Sequence, residues 1–309
     1  MLPDPFTSKK ALILRVVRSL FLFIYFLMAD PTPAFSTTSV TVVRDESLYS
    51  VPLNRAVQLD IILPPAYNAH APEPYPVLYL NDGQDLPRLR LAEVLDSLYA
   101  QQAVRPFVLV AVHTHADRIQ EYGTAAQADY MKRGSKAGLY TDFVLTELLP
   151  HIHTHYRVSA APGQAAFAGF SLGGLSAFDI VFHHPEHFSR AGVFSGSFWW
   201  RSKAFSSAYD DDTDRIMHTL VRQGRYTPGT QFWLQTGTLD ETSDRNNNGV
   251  IDSIDDTLDL IAELEKIGYQ REKPGIAGNV RYVEVEGGHH NPETWGAIMP
   301  DFLTWAFGR

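Results

Sequence analysis

Residues 165–174 read Ala-Ala-Phe-Ala-Gly-Phe-Ser-Leu-Gly-Gly, and this stretch decides the fold that we expect for the chain. A short apolar run ends in Gly-Phe-Ser-Leu-Gly, and a segment typical of a helix follows at once. The order is that of a nucleophile elbow, in which a strand turns sharply into a helix and a serine stands at the apex. Ser171 is therefore a candidate nucleophile, and the backbone N–H of Leu172 would point toward a developing oxyanion.

Glycine stands two residues before and two residues after this serine, as Gly169 and Gly173. Side chains at both positions would collide in so tight a turn, which gives the pattern a steric reason. Taken alone, the pentapeptide also fits a glycine-rich turn between a buried strand and a helix. The elbow hypothesis therefore depends on a base, an acid and a second oxyanion donor at the ends of other strands.

Continuous apolar runs alternate with segments of helical periodicity along most of the chain. This repeated strand–helix–strand order predicts an α/β fold with a mostly parallel, twisted sheet and helices on both faces. Residues 39–43 and 55–63 instead alternate apolar and polar side chains, which predicts an antiparallel N-terminal edge with one solvated face. The other predicted strands are residues 77–80, 107–112, 165–170, 191–194, 231–237 and 280–286.

The composition is that of a globular protein with enough chain for a full core: 309 residues, of which 45% are hydrophobic and 20% are charged. The formal net charge of −9 argues against nucleic acid as a partner, because no basic stripe could displace phosphate counterions. The sequence contains no cysteine, which excludes disulfides, thiol nucleophiles and thiolate metal sites.

The first 34 residues are typical of a secretory signal peptide. Basic residues between Lys9 and Arg18 precede an apolar run, residues 20–29, and we expect cleavage near residues 29–34. The run is short for a membrane span, although counting from Ala11 would allow an uncleaved anchor. We expect a periplasmic or secreted protein whose residues 35–309 form a single catalytic domain, with membrane contact only if the N-terminal segment is retained.

Acids and histidines follow the later predicted strands in the chain order that serine hydrolases with such an elbow require. Asp240 follows the last strand but one, with Glu241 and Asp244 as adjacent alternatives for the acid. His289 and His290 follow the last strand and are both candidates for the base. A serine, an acid and a histidine in this order, each just past a strand, are a stronger signal than the pentapeptide alone.

Four motifs at predicted strand ends occur together: Tyr-Leu-Asn-Asp-Gly-Gln at 79–84, Gly-Phe-Ser-Leu-Gly-Gly at 169–174, Gln-Thr-Gly-Thr-Leu-Asp-Glu at 235–241, and Gly-Gly-His-His-Asn at 287–291 with Trp295. As a set they resemble the putative esterase family of α/β-hydrolases, which includes esterase D, enterochelin esterases and feruloyl or acetyl-xylan esterases. The resemblance covers about residues 40–309. It implies the α/β-hydrolase fold and a carboxylic-ester hydrolase with a Ser-Asp-His triad.

By this resemblance Ser171 is the nucleophile, Asp240 the acid, and one of the two adjacent histidines the base. Family members commonly carry a tryptophan five residues after the catalytic histidine. That spacing fits His290 and Trp295, so His290 is favoured and His289 is the alternate.

The resemblance also implies a second oxyanion N–H, supplied by Gly83 or Gln84. The chemistry would need no cofactor, and the substrate would be a small-molecule or sugar-linked ester. We expect a monomer or a dimer. Two alternatives stay open: an acyltransferase that uses the same triad, and a non-catalytic binding protein with the hydrolase fold.

A second motif lies at residues 244–255, whose sequence Asp-Arg-Asn-Asn-Asn-Gly-Val-Ile-Asp-Ser-Ile-Asp has the spacing of a calcium-binding loop. Gly249 would supply the sharp turn, although a hydrophilic loop that turns at Asn-Gly would look the same. The loop begins four residues after Asp240, so a structural Ca²⁺ would brace the predicted acid. The predicted ligands are Asp244, Asn246, Asn248, the carbonyl of Val250, Asp252 and Asp255.

Overall fold

One sheet of eight strands organises the computed structural model, which describes residues 39–309. In chain order the strands are β1 (Thr41–Ser50), β2 (Arg55–Leu63), β3 (Val77–Asn81), β4 (Val108–Val112), β5 (Ala165–Phe170), β6 (Arg190–Phe194), β7 (Gln231–Leu239) and β8 (Val280–His289). Their order across the sheet is β1-β2-β4-β3-β5-β6-β7-β8. β2 is antiparallel to both of its neighbours and every other adjacent pair is parallel, which confirms the predicted arrangement.

Helices cover both faces of this sheet. They are α1 (Leu91–Ala100), α2 (Arg118–Glu121), α3 (Ala137–Phe143), α4 (Leu149–His155), α5 (Leu172–His183), α6 (Asp211–Asp214), α7 (Ile216–Gln223), α8 (Asp252–Lys266) and α9 (Pro292–Phe307), with a π-helical turn at Val144–Leu148. Apolar side chains of α1 and α9 pack in the core on one face, and those of α3, α4, α5, α7 and α8 pack in the core on the other.

The central strands are buried on both faces, as their unbroken apolar sequences predict. Every residue of β3, β4 and β5 is buried. A parallel strand covered by helices on both sides needs apolar residues at every position, whereas a solvated strand alternates. The ends of these parallel strands carry the loops that hold the predicted site residues.

β1 and α8 are longer than the sequence suggests. β1 continues to Ser50 through a register shift between Val43 and Glu46, and the polar residues of that shift concealed the second half of the strand. Helical periodicity in the sequence begins at Thr257, whereas α8 begins at Asp252, because the end of the predicted calcium loop forms its first turn.

The predicted signal peptide or anchor, residues 1–34, lies outside the described residues, so its boundary with the catalytic domain stays a prediction. Among residues 39–309, no helix has the length and the apolar composition that crossing a membrane requires.

A buried histidine lies among charged residues where α7 packs against α8. His218 is 1% exposed, and its Nε2 lies 2.8 Å from the carbonyl oxygen of Asp256, so this nitrogen donates. Its Nδ1 has no hydrogen-bond partner among the described residues. Burial and the nearby charge of Arg215 lower the pKa of His218 to about 3, which keeps the ring neutral.

We predict that acid weakens the fold through this histidine. The unfolded chain binds a proton at His218 below about pH 6.5, whereas the native state binds it only near pH 3, so stability is lost as the pH falls between these values. The free energy of unfolding should fall by up to about 1.4 kcal/mol per pH unit in this range. Urea unfolding at several pH values checks this, and His218→Asn, which still donates but does not titrate, should show a shallower slope. Equal slopes for both proteins would contradict the assignment.

Candidate active site

Ser171 stands at a sharp turn between β5 and α5. Its backbone has φ 55° and ψ −121°, an unfavourable conformation for a residue with a side chain. Three backbone hydrogen bonds hold it there: its N–H donates to the carbonyl of Phe194 at 2.9 Å, and its carbonyl accepts from Leu175 at 3.1 Å and from Ser197 at 3.1 Å. The turn is therefore held from both sides by neighbouring elements.

The two glycines around this serine are sterically required. A Cβ on Gly169 would lie 2.3 Å from the carbonyl oxygen of Gly173. A Cβ on Gly173 would lie 2.7 Å from Oδ2 of Asp82. The strand–turn–helix and the collision that the pentapeptide predicts are thus both present.

The hydroxyl of Ser171 contacts a second serine. Its Oγ lies 3.3 Å from Oγ of Ser197, which is 2% exposed. Ser197 lies in none of the sequence motifs that predict site residues. It follows β6, the strand beside β5, by three residues, and this placement was the only signal that could have pointed to it.

Asp240 lies one residue past β7, and only one of its two carboxylate oxygens has a hydrogen-bond partner among the described residues. Oδ2 accepts from the N–H of Gly237 at 3.0 Å. Oδ1 is buried and has no hydrogen-bond partner among residues 39–309. An unpaired buried carboxylate oxygen is costly, and a histidine N–H is a donor that would satisfy it.

The two alternative acids face elsewhere. Asp244 accepts from the N–H groups of Asn248 at 3.1 Å and Gly249 at 2.9 Å, inside its own loop. Glu241 lies beside Ser243 and Ser253, and burial raises its pKa. The hydrogen bonds of both carboxylates therefore lie within the segment that follows β7.

His290 is connected to the elbow through Trp295. The two rings meet edge to face with 5.2 Å between centroids, and Trp295 stacks on Phe170 at 5.0 Å. The indole Nε1 donates to Oγ of Ser195 at 2.9 Å, which fixes the tryptophan. Because Phe170 immediately precedes Ser171, this stack places the imidazole at the same edge of the sheet as the serine.

The surroundings of His290 favour a neutral ring. Removal of water by the neighbouring protein lowers its pKa, and Arg118 acts in the same direction, while the carboxylate of Asp240 opposes both. In the described part of the chain, no hydrogen bond joins this imidazole to Ser171 or to Asp240. The structure therefore gathers the three side chains at one edge without linking them.

His289 has different contacts. Like His290 it is exposed, but it pairs with Leu239 in the sheet, and its N–H donates to Oγ1 of Thr294 at 2.9 Å. Its backbone thus shapes the turn into α9, whereas Trp295, among residues 39–309, makes its ring contact with His290 rather than with His289. These contacts favour His290 as the base.

The predicted oxyanion donors begin two separate helical turns. Leu172 is the first residue of α5, and Gly83 and Gln84 open a 3₁₀ turn, Gly83–Asp85. N–H groups at the start of a helical turn have no acceptor within it, so they are available to an anion. A Cβ on Gly83 would lie 2.7 Å from Cδ2 of His113, which explains the glycine.

The predicted calcium loop folds around the carboxylate of Asp255. Its Oδ2 accepts from the side-chain amides of Asn246 at 3.0 Å and Asn248 at 2.8 Å. The N–H of Val250 donates to Oδ1 of Asn248 at 2.7 Å, and Asn248 in turn donates to Asp244. Four of the predicted side-chain ligands therefore converge.

Asp252 faces away from this group. Its Oδ1 accepts from the N–H of Arg245 at 2.8 Å and lies 3.1 Å from that guanidinium. Among residues 39–309, no cluster of three or more histidine, aspartate or glutamate side chains is placed to hold a metal ion. A cation in this loop would depend on the two asparagines as well as on Asp244 and Asp255.

Residues 50–306 match the family model described as "Putative esterase", and the chain belongs to that family. The ferulic acid esterase of known structure resembles the chain with a TM-score of 0.63 and 19% identity, over 87% of this chain and 98% of the other. This likeness confirms the α/β-hydrolase fold.

Two curated relatives match shorter segments. The Bacillus subtilis (strain 168) protein named "Uncharacterized protein YbbA" is 28% identical over 148 residues, 47% of this chain and 58% of its own length. The "Iron(III) enterobactin esterase" of Dickeya dadantii (strain 3937) is 38% identical over 87 residues, 27% of this chain and 20% of its own length. The matches thus span less than two thirds of either relative.

We predict that Gly173→Ala damages the elbow. The added methyl group would crowd Asp82, and overpacking of this kind costs about 1–3 kcal/mol, so both the melting temperature and ester turnover should fall. Gly163→Ala is the matched control, since a Cβ there meets nothing within 4 Å. Thermal unfolding and initial rates of both variants check this. Unchanged behaviour of Gly173→Ala would show that the turn is less tight than described.

Proposed function

We propose that this protein hydrolyses carboxylic esters with Ser171 as the nucleophile, Asp240 as the acid and His290 as the base. One observation carries the proposal: a serine held in an unfavourable backbone conformation at the β5–α5 turn, in a chain of the esterase family. The positions of Asp240 past β7 and His290 past β8 support it, because both lie at strand ends on the same edge.

The reaction would proceed in two halves. His290 takes the proton of Ser171 as its oxygen bonds to the ester carbonyl carbon, and returns it to the departing alcohol as the acyl–oxygen bond breaks. Water, deprotonated by the same imidazole, then releases the acid and restores the serine. Asp240 would fix the tautomer of His290 and stabilise its charged form.

Backbone N–H groups would stabilise the oxyanion of both tetrahedral intermediates. Leu172 supplies one donor, and Gly83 or Gln84 supplies the other from the end of β3. Loss of one such donor typically costs about 3 kcal/mol of transition-state stabilisation. The donors come from different strand ends, so their separation depends on how those two turns are held together.

Hydrogen bonds from His290 to Ser171 and to Asp240 would form when substrate binds. The unpaired Oδ1 of Asp240 is the acceptor that a histidine Nδ1–H would use. The negative charge of this carboxylate also acts to raise the pKa of the His290 imidazole. Catalytic hydrogen bonds are often long in unliganded sites and tighten in the reacting complex. A rotation of the His290 side chain is the smallest change that would link it to both partners.

For the substrate we propose a small-molecule or sugar-linked ester. The relatives are named for ferulic acid and for iron(III) enterobactin, and an ester is the group that these names share. The N-terminal sequence supports export to the periplasm or beyond. An acyltransferase would use the same serine, and product analysis with competing alcohol acceptors distinguishes the two reactions.

Ser171→Ala should abolish turnover of an aryl ester, with a loss of about 10⁶-fold in kcat, because no other group would form the acyl-enzyme. A fluorophosphonate probe should add covalently to residue 171 of the wild-type protein and not to the variant. Ser97→Ala, on α1 away from the elbow, is the control. Full turnover by Ser171→Ala would reject the proposal, and an ester-binding wild-type protein without turnover would favour a binding role.

We also propose that residues 244–255 bind a structural Ca²⁺. The oxygen-rich set suits this ion: Asp244, Asn246, Asn248, Asp255 and the carbonyl of Val250 would hold it. The amides now point N–H groups at Asp255, and an amide presents its oxygen instead after a half-turn of its last torsion. Participation of Asp252 through water stays a prediction, since in the structure this carboxylate binds Arg245.

Chelation should lower the melting temperature and activity together if the ion braces the segment after Asp240. Free calcium at 100 times its Kd would add about 2.7 kcal/mol to the free energy of unfolding. Asp255→Asn should remove this calcium-dependent shift, and Glu272→Gln, a surface acid outside the loop, should keep it. A melting temperature that does not respond to either chelator or calcium would rule out the site.

A further inference from the structure

We propose that Arg118 is a positioning residue that locks the two halves of the oxyanion hole together. The inference rests on the proposed ester hydrolysis and adds to it a residue that would not touch the substrate. Its two anchoring points are the oxyanion loop, defined as residues 81–84, and the elbow, defined as residues 169–174.

One guanidinium bridges the two segments. Nε of Arg118 donates to Oδ1 of Asp82 at 2.7 Å, and Nη2 donates to Oδ2 at 2.7 Å. Nη2 also donates to the carbonyl of Phe170 at 3.4 Å. Asp82 immediately precedes Gly83, and Phe170 immediately precedes Ser171. The planar group therefore links the backbone next to one oxyanion donor with the backbone next to the nucleophile.

The loop needs such a support because its backbone is strained. Asp82 adopts φ 63° and ψ 47°, the left-handed conformation that residues with a side chain rarely occupy. Its carboxylate accepts further hydrogen bonds from Gln84 at 3.0 Å and Thr114 at 3.2 Å, and its N–H donates to the hydroxyl of Tyr122 at 3.2 Å. Thr114, Arg118 and Tyr122 all lie in the segment between β4 and α3, so the loop is held from outside as well as by its own Gln84.

Asn81 supplies a second link between the same two segments. Its side-chain amide donates to the carbonyl of Gly173 at 2.8 Å, and its Oδ1 accepts from the hydroxyl of Tyr140 at 2.5 Å. The oxyanion loop is thus tied to the elbow on both sides of the turn. Arg118 is the charged member of this pair of links.

The alternative role for an arginine beside a catalytic serine is to bind an anionic substrate. Two observations oppose it here. The buried carboxylate of Asp82 occupies both Nε and Nη2, and the same carboxylate neutralises the charge of the guanidinium. A guanidinium whose fork is already filled offers little to a second carboxylate, so its geometry favours positioning over recognition.

Only arginine can make these contacts at once. Lysine carries the same charge, but its ammonium is a point donor that cannot hold two carboxylate oxygens and a carbonyl in one plane. Arg118→Lys therefore keeps the charge near His290 and removes the bridge. This variant separates geometry from electrostatics.

The same helix provides a matched control. Arg55 donates through Nε and Nη2 to both oxygens of Glu121, at 2.8 Å and 2.5 Å, and this pair is also largely buried. It anchors α2 to the start of β2 and contacts neither the oxyanion loop nor the elbow. Arg55→Lys should therefore reproduce the loss of a bidentate ion pair without moving an oxyanion donor.

The experiment compares kcat, KM and melting temperature of the wild-type protein, Arg118→Lys and Arg55→Lys on one aryl ester. Arg118→Lys should lower kcat about 10²-fold with KM nearly unchanged, because misplaced donors weaken the transition state alone. The Ki of a trifluoromethyl ketone, which forms an oxyanion on the serine, should rise by a similar factor. Arg55→Lys should keep both values while its melting temperature falls comparably.

The outcomes separate this inference from the proposed function. If Ser171→Ala is inactive and Arg118→Lys keeps kcat and Ki, the positioning role is wrong and the hydrolase assignment stands. If both arginine variants lose kcat alike, the effect is general destabilisation and the inference also fails. Should Arg118→Lys not fold, Asp82→Asn weakens the same bridge from its other end, and a normal kcat in that variant would overturn the proposal.

Discussion

The tight turn at Ser171 is the constraint on which the rest of the structure depends. Its backbone lies at φ 55° and ψ −121°. The chain passes so close to itself that a Cβ on Gly169 would lie 2.3 Å from the carbonyl oxygen of Gly173. Such a conformation persists only where its surroundings over-determine it. β6 and the segment after it supply that support. The N–H of Ser171 donates to the carbonyl of Phe194, and the N–H of Ser197 donates to the carbonyl of Ser171, so the elbow requires the parallel strand beside it.

The second constraint is that catalysis would draw on backbone from distant strand ends. The oxyanion loop lies after β3, the nucleophile after β5 and the histidine after β8. Parallel strands bring their carboxyl ends to one edge, but side chains set the final distances. Trp295 does this for His290, and Arg118 and Asn81 do it for the oxyanion loop. The segment between β4 and α3, which contains Arg118, therefore helps to position the oxyanion loop in addition to connecting two elements.

The predicted acid is connected to a different part of the molecule. Asp240 opens the segment that runs into the predicted calcium loop, and Arg245 of that loop is bound to Asp252 and Asp256 on α8. Bound calcium and this buried ion-pair cluster would therefore act on the same segment. His218 lies against the cluster without a charge, because burial, together with the nearby Arg215 and Arg245, lowers the pKa of its ring.

The sequence by itself determined the architecture and predicted which residues would form the site. Apolar runs marked the central strands β3, β4 and β5, since a strand buried on both faces leaves few polar positions, and Gly169 and Gly173 marked the elbow, since only glycine fits there. The tertiary structure alone decided which groups meet. The contact of Ser171 with Ser197 and the bridge of Arg118 join residues 26 and 36 or more positions apart, and local pattern carries no distance between such residues.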